Sequence, residues 1–169
     1  MKTLQKPNEQ LAGNLELFLT PIANIKSIAG SEITVTDENQ ILELICMRES
    51  IGHMVTGVKS KAGTTYLHKI TALTYGRSDE NDTLLDEFMI YKLLAIVRDS
   101  LGNYYYVGNE SIGLAMEWEY DSGTDASAAK RYTLVIQGKL LSYTSPLIAV
   151  LDLDGNTVIE VIAPVGMPD

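Results

Sequence analysis

Cysteine, histidine, tryptophan and phenylalanine are all scarce in this sequence, with one, two, one and two copies among 169 residues. The lone Cys46 excludes an intrachain disulfide, and within the apolar run Ile41 to Met47 it reads as a small buried hydrophobe. His53 and His68 are the only imidazoles. They flank a predicted turn and can approach across a hairpin, but the nearby Thr, Lys and Tyr offer no third ligand for a zinc centre. Positive charge is also in short supply: 13 Lys and Arg stand against 22 Asp and Glu, a net charge of −9. Nucleic-acid affinity rests on phosphate neutralisation, and even the closest cations, Lys59, Lys61 and Lys69, form no basic run, so ordinary DNA recognition is not expected.

Long apolar runs are missing as well. No stretch reaches the roughly 18 uninterrupted apolar residues of a membrane-spanning helix. The first ten residues lack the apolar centre and cleavage site of a secretory signal, so synthesis and folding in a cytoplasm are expected, with no membrane partner. The motifs of common chemistries are absent: no Gly-x-Ser-x-Gly elbow, no Gly-rich loop ending in Lys-Ser or Lys-Thr, and no dinucleotide fingerprint among Gly102, Gly108 and Gly113. Asp152-Leu153-Asp154-Gly155-Asn156 has a superficial likeness to a calcium loop. Its glycine comes too early and the closing glutamate is lacking, so a tight hairpin turn is the better reading. Neither a catalytic centre nor a cofactor or metal site is expected.

What is present is a pattern of short strands. At 46% hydrophobic and 21% charged residues the chain is folded rather than disordered, and its length suits one domain able to bury about 70% of its extended surface. Residues 1–14 read as an N-terminal arm, 15–141 as a β domain, and 142–169 as a C-terminal hairpin extension and tail. Strands are expected over 15–22, 32–36, 41–47, 53–60, 64–75, 95–98, 104–107, 114–121, 131–137, 147–151 and 157–162. In this reading 32–36 pairs with 41–47 through the polar turn 37–40, and 53–60 pairs with 64–75. The segment of about 80–95 differs. Asp79, Glu80, Asp82, Asp86 and Glu87 precede a stripe of Leu84, Leu85, Phe88, Met89 and Leu93, which predicts one helix with Thr83-Leu84-Leu85-Asp86 as its capping box. The fold expected is mainly β: an antiparallel sandwich or barrel with one inserted α-helix covering an open end or face.

Two patterns remain. Leu114, Met116, Trp118 and Tyr120 alternate with an acidic row, Glu117, Glu119 and Asp121, which is a solvated strand face or, in a ring, a channel lining. Tyr104, Tyr105 and Tyr106 put aromatics on both faces of one strand, as a well-packed core or a protein interface requires.

The order of elements is itself informative: paired strands, an acid-started helix, a strand, Asp99-Ser100-Leu101-Gly102-Asn103, Tyr104-Tyr105-Tyr106-Val107-Gly108, a further strand, and Ser122-Gly123-Thr124. Over about residues 15–140 this resembles tail-tube and head-to-tail ring proteins of tailed bacteriophages, especially those infecting gut Bacteroidetes. The resemblance implies a tail-tube-like β-sandwich and a non-enzymatic virion protein of the tail or neck, made in the bacterial cytoplasm. It further implies homo-oligomeric rings, commonly hexameric, stacked on adjacent tail or connector rings, with DNA as non-specific cargo in the channel. On that basis Glu117, Glu119 and Asp121 are candidate channel-lining acids, joined by the helix-start acids. Tyr104, Tyr105, Tyr106, Gly57 and Gly63 are candidate interface residues, and the segment from 142 onward, which extends beyond the matched part, leaves the repeating tube and a connector or terminator ring both open. The alternative is a small β-rich carbohydrate- or protein-binding module using Trp118 and the tyrosines as a stacking platform.

Overall fold

A computed structural model describes residues 2–3, 16–47, 50–61, 63–98, 103–122, 130–142 and 144–160. In chain order the first strands are β1 (Lys2–Thr3), β2 (Leu17–Pro21), β3 (Ile25–Ala29), β4 (Glu32–Val35), β5 (Leu42–Leu44), β6 (Gly52–Ser60) and β7 (Gly63–Tyr75). The helix α1 (Asp79–Met89) follows, then β8 (Leu93–Arg98), β9 (Tyr104–Val107), β10 (Ala115–Asp121) and β11 (Arg131–Leu140). The last strands are β12 (Ser145–Leu147), β13 (Ala149–Leu151) and β14 (Thr157–Glu160).

These strands form three sheets, in the orders β1-β5-β2-β8-β9-β12, β10-β11-β7-β6 and β14-β13-β4-β3, and no sheet closes into a barrel. The six-stranded sheet is the middle layer. Leu17 and Leu19 of β2 and Leu93, Ala95 and Val97 of β8 face one core, shared with Ile70, Met116, Tyr132 and Leu134 of the β10-β11-β7-β6 sheet. The alternate residues Phe18, Leu94 and Ile96 face a second core, shared with Ile33, Val35, Val150 and Ile159 of the β14-β13-β4-β3 sheet. Strands buried on both faces lose the alternation of a solvated strand, which is why Leu93 to Val97 reads as an unbroken apolar run. The fold is a layered β-sandwich with one helix, as expected from the sequence, and its sandwich form supersedes the barrel alternative.

The helix is shorter than the expected 80–95. It ends at Met89, and Leu93, counted in its apolar stripe, opens β8 instead. Its cap is Ser78, whose hydroxyl accepts from the Asn81 backbone N–H at 3.1 Å, whereas Thr83 lies inside the helix and donates to the Asp79 carbonyl at 2.8 Å. The pairing expected between 32–36 and 41–47 does not form. β4 pairs with β3 and, in parallel, with β13, while β5 pairs with β2 in the central sheet. The residues between them make a 3-10 turn over Glu38–Gln40 that carries the chain from one sheet to another. The hairpin of β6 and β7 forms as expected.

Beyond residue 142 the chain is woven into two of the three sheets, the central one and the β14-β13-β4-β3 sheet. β12 pairs with β9 and β13 with β4, with a break at Ile148 where a single strand over 147–151 was expected. The Asp152–Asn156 segment is the tight turn its sequence suggests: Asp152 N donates to the Asn156 carbonyl at 2.9 Å. The Asp152 carboxylate accepts from the backbone N–H groups of Asp154 and Asn156 and from the Asn156 side chain, and these bonds hold it below the usual carboxylate range. Beyond Lys2–Thr3, which pair with β5, the expected N-terminal arm lies outside the described residues, as do the tail from 161 and the loop 123–129. No helix among the described residues is long and apolar enough to cross a membrane.

Candidate functional site

Among the described residues the outer sheet β10-β11-β7-β6 ends in two edge strands, β10 and β6, and they differ in charge. At one edge lies β10. Its alternation puts Met116 in the core and leaves Trp118 and Tyr120 half-buried on the inner face, while Glu117, Glu119 and Asp121 are exposed on the other side. The expected acidic row therefore exists as a row. Among the described residues, Asp121 of this row has a cationic neighbour within salt-bridge reach, Arg131 at 3.7 Å on β11.

At the other edge, β6 and β7 form a hairpin that outreaches the sheet. β11 pairs with β7 only from Tyr66 onward, so Val58, Lys59 and Ser60 with Gly63, Thr64 and Thr65 make a two-stranded arm beyond it. Gly57 sits opposite Tyr66 at the arm's base, and Gly63 opens β7 with a positive φ of 122°. The arm is exposed, and Met54, Val58 and Leu67 put apolar surface along the hairpin. Lys59, Lys61 and Lys69, which form no basic run in the sequence, all lie on this hairpin. Residues 50–78 contain none of the 22 acids but hold those three lysines and Arg77. That acid-free window is a signal that the search for basic runs missed, because the cations are spaced out and the informative feature is the absence of carboxylates.

Two of the helix acids are tied to the outer sheet. Asp82 accepts from the Tyr132 hydroxyl and from Arg77 Nε at 3.2 Å, and Asp86 accepts from the Trp118 indole N–H at 3.0 Å. Arg77 also lies over the Tyr120 ring at 4.8 Å. These two carboxylates clamp α1 to the inner face of β10 and β11; Asp82 is half-buried, and Asp86 is exposed, as are Asp79, Glu80 and Glu87. Burial, then the Asp82 carboxylate, pushes the Tyr132 phenol far up, so it stays a neutral donor.

The candidate interface tyrosines divide. Tyr104 and Tyr106 are buried in the second core, and Tyr105, on the opposite face of β9, is half-buried. Tyr104 donates to Glu16, which also accepts from Arg98 at 2.9 Å, and Tyr106 reaches the Gly30 carbonyl at 3.2 Å. The first two are thus core residues of the isolated chain rather than surface aromatics. Trp118 is likewise occupied, with its ring edge-on to Tyr132 at 5.6 Å.

The two histidines meet as the hairpin suggested, with His53 Nε2 and His68 Nδ1 at 3.2 Å. Among the described residues no three His, Cys, Asp or Glu side chains gather as a metal site. Burial pushes the Cys46 thiol up to about 12, which suits an inert core residue. An open groove of about 350 Å³ lies between Ile28, Tyr106, Glu110 and Ser145, but its carboxylate Glu110 already accepts from the Ile28 N–H at 2.7 Å. No protein-family model, curated protein or solved structure gives a match to this chain.

Proposed function

We propose that this chain is a non-enzymatic virion subunit that assembles with copies of itself into a ring or tube in a bacteriophage tail or head-to-tail connector, with DNA passing through the bore. The observation that carries this reading is the four-stranded outer sheet with an acidic edge strand at one end and an acid-free, lysine-bearing hairpin at the other. Edge strands left open invite pairing with another chain. When the two edges are complementary to each other rather than to themselves, the contact is head-to-tail, and successive copies close into a ring if the rotation permits. In such a ring β6 and its arm meet β10 of the next copy, Lys59 and Lys61 approach Glu117 and Glu119, and the apolar Met54 and Val58 are covered. Carboxylates left on the bore would repel DNA phosphates and keep the cargo from adhering. Adjacent rings of the tail or neck are the remaining partners.

Trp118 favours this reading over a sugar-binding module. A stacking platform needs a free indole face, whereas this ring packs under α1 with its N–H held by Asp86. Negative-stain microscopy and native mass spectrometry of the purified chain test the proposal. Rings or stacked tubes with a closed, integral stoichiometry are expected, and a strict monomer at high concentration would overturn it. Quenching of Trp118 fluorescence by a soluble sugar would favour the binding module instead.

A further inference from the structure

Among the described residues β3 is the outer strand of the β14-β13-β4-β3 sheet, so one side of its backbone faces no further strand of that sheet. Its pairing with β4 shifts between Ile25 and Ser27, which breaks the regular edge at Lys26. The regular part is Ser27 to Ala29, closed by the turn at Gly30 and Ser31. Ile28 turns its N–H away from β4, and in an antiparallel ladder the carbonyl of the same residue points the same way. This short stretch therefore presents one donor and one acceptor to an incoming strand. A backbone edge of this kind is a template for strand addition.

The donor is taken. Glu110 Oε1 accepts from the Ile28 N–H at 2.7 Å, across 82 residues of sequence, and so stands where the carbonyl of a neighbouring strand would stand. Its own loop holds it there. Asn109 Oδ1 accepts from the N–H groups of Ser111 at 2.8 Å and Ile112 at 2.7 Å, and the Asn109 N–H donates to the Ile112 carbonyl at 3.0 Å. Gly108, with a φ of 122°, turns the chain from β9 into this loop, and a Cβ there would lie 3.4 Å from Leu94 Cα. Glu110 is exposed and Ile28 half-buried, so water can satisfy both groups and the bond adds little to stability. Its effect is to block.

We propose that Glu110 is a guard on the β3 edge: by occupying the Ile28 N–H it keeps this sheet from pairing with a second copy of the chain. Without the guard every copy is open at the same strand, so the contact that all copies can make is a two-fold, antiparallel pairing of β3 with β3. Ile28 of each copy then exchanges both backbone bonds with Ile28 of the other. The groove beside Ile28, walled by Tyr106 and by Ile112 at 37% exposure, supplies apolar surface for the added strand to cover. The guard does not depend on the ring, since β3 belongs to a different sheet from β6 and β10. It leaves those two strands as the ones through which copies join.

The test compares Glu110→Ala with Glu110→Gln in the full chain, by amide exchange and native mass spectrometry over a range of concentrations. In E110A at low concentration the Ile28 amide should exchange about tenfold faster than in the parent, or more. At high concentration it should regain protection as the mass rises to twice the parent's or a higher multiple. E110Q keeps an acceptor oxygen and should hold both the parent's protection and the parent's mass. The β8 amides, in the central sheet, should stay protected in both variants and report the intact fold. An Ile28 amide as protected in E110A as in the parent, or an E110A that keeps the parent's mass at every concentration, would overturn the guard. Failure of the ring reading shows separately, as a parent that is itself monomeric.

Discussion

Asn24 is a small residue with a large structural role. At 2% exposure it donates to Thr20 Oγ1 at 3.0 Å and to the Asp37 carbonyl at 2.9 Å, and accepts from the Asp37 N–H at 2.9 Å. It thereby pins the turn that carries the chain between two sheets. Asn24→Ala leaves those partners unpaired and should cost about 2–4 kcal/mol by urea unfolding, because buried orphaned polar groups are expensive. Tyr104 makes a prediction at the alkaline end. Burial, then the Glu16 carboxylate, pushes its phenol up to about 12, above the ordinary 10. A raised phenol stabilises the fold fully below its unfolded value and loses that contribution as pH rises through the folded one. Tyr104→Phe should therefore flatten the alkaline limb of a stability profile between those two values. An unchanged limb would remove Tyr104 as its source.

The helix tests which residue begins an element. With Ser78 as cap, Ser78→Ala should lose about 1 kcal/mol, while Thr83→Ala, at an interior exposed position, should cost nothing or gain slightly. The reverse order in thermal unfolding would restore the capping box at Thr83. At the element scale the sequence pattern was most legible where one face meets solvent: Met116, Trp118 and Tyr120 against Glu117 and Glu119 could be assigned to faces from alternation alone. It was least legible in β8, where both faces are buried and only Lys92 separates the apolar run from the apolar residues at the end of α1. Close approaches were invisible too. A Cβ on Gly113 would lie 2.9 Å from the Leu93 backbone, at the bridge from Leu93 to Leu114 that ties the central sheet to the outer one. Gly113→Ala should unfold at lower denaturant than Gly57→Ala, whose Cβ meets nothing nearer than 3.7 Å.

For the molecule as a whole the decisive quantity is how charge is distributed over its two open edges. If copies join head to tail, Lys59→Glu with Lys61→Glu should abolish assembly, and so should Glu117→Lys with Glu119→Lys. Neither variant assembles alone, since each carries two like-charged edges. Mixed together they make every head-to-tail contact attractive when the two variants alternate, and should co-assemble into rings of even stoichiometry and equal composition, seen by native mass spectrometry. The four substitutions in a single chain restore complementarity with reversed sign and should recover the ring. Assembly of the parent chain should weaken with added salt, because exposed charge pairs are screened over about 10 Å at 0.1 M. Insensitivity to all three would leave the edges without a role in assembly.

Composition and local pattern by themselves determined an acidic, strand-rich chain with one helix, the hairpin of β6 and β7, the turn at Asp152 and the two faces of β10. Each of these is written in neighbours a few residues apart, where alternation, capping and turn chemistry act. The tertiary structure alone decided that Asp82 and Asp86 clamp the helix to Tyr132 and Trp118, that Tyr104 and Tyr106 belong to a core, and that β4 lies beside β13. It also decided that three scattered lysines share one hairpin at the edge of a sheet whose other edge strand is acidic. These facts depend on pairing between segments far apart in the chain, and a strand apolar on both faces carries no periodic mark of which partner it will take.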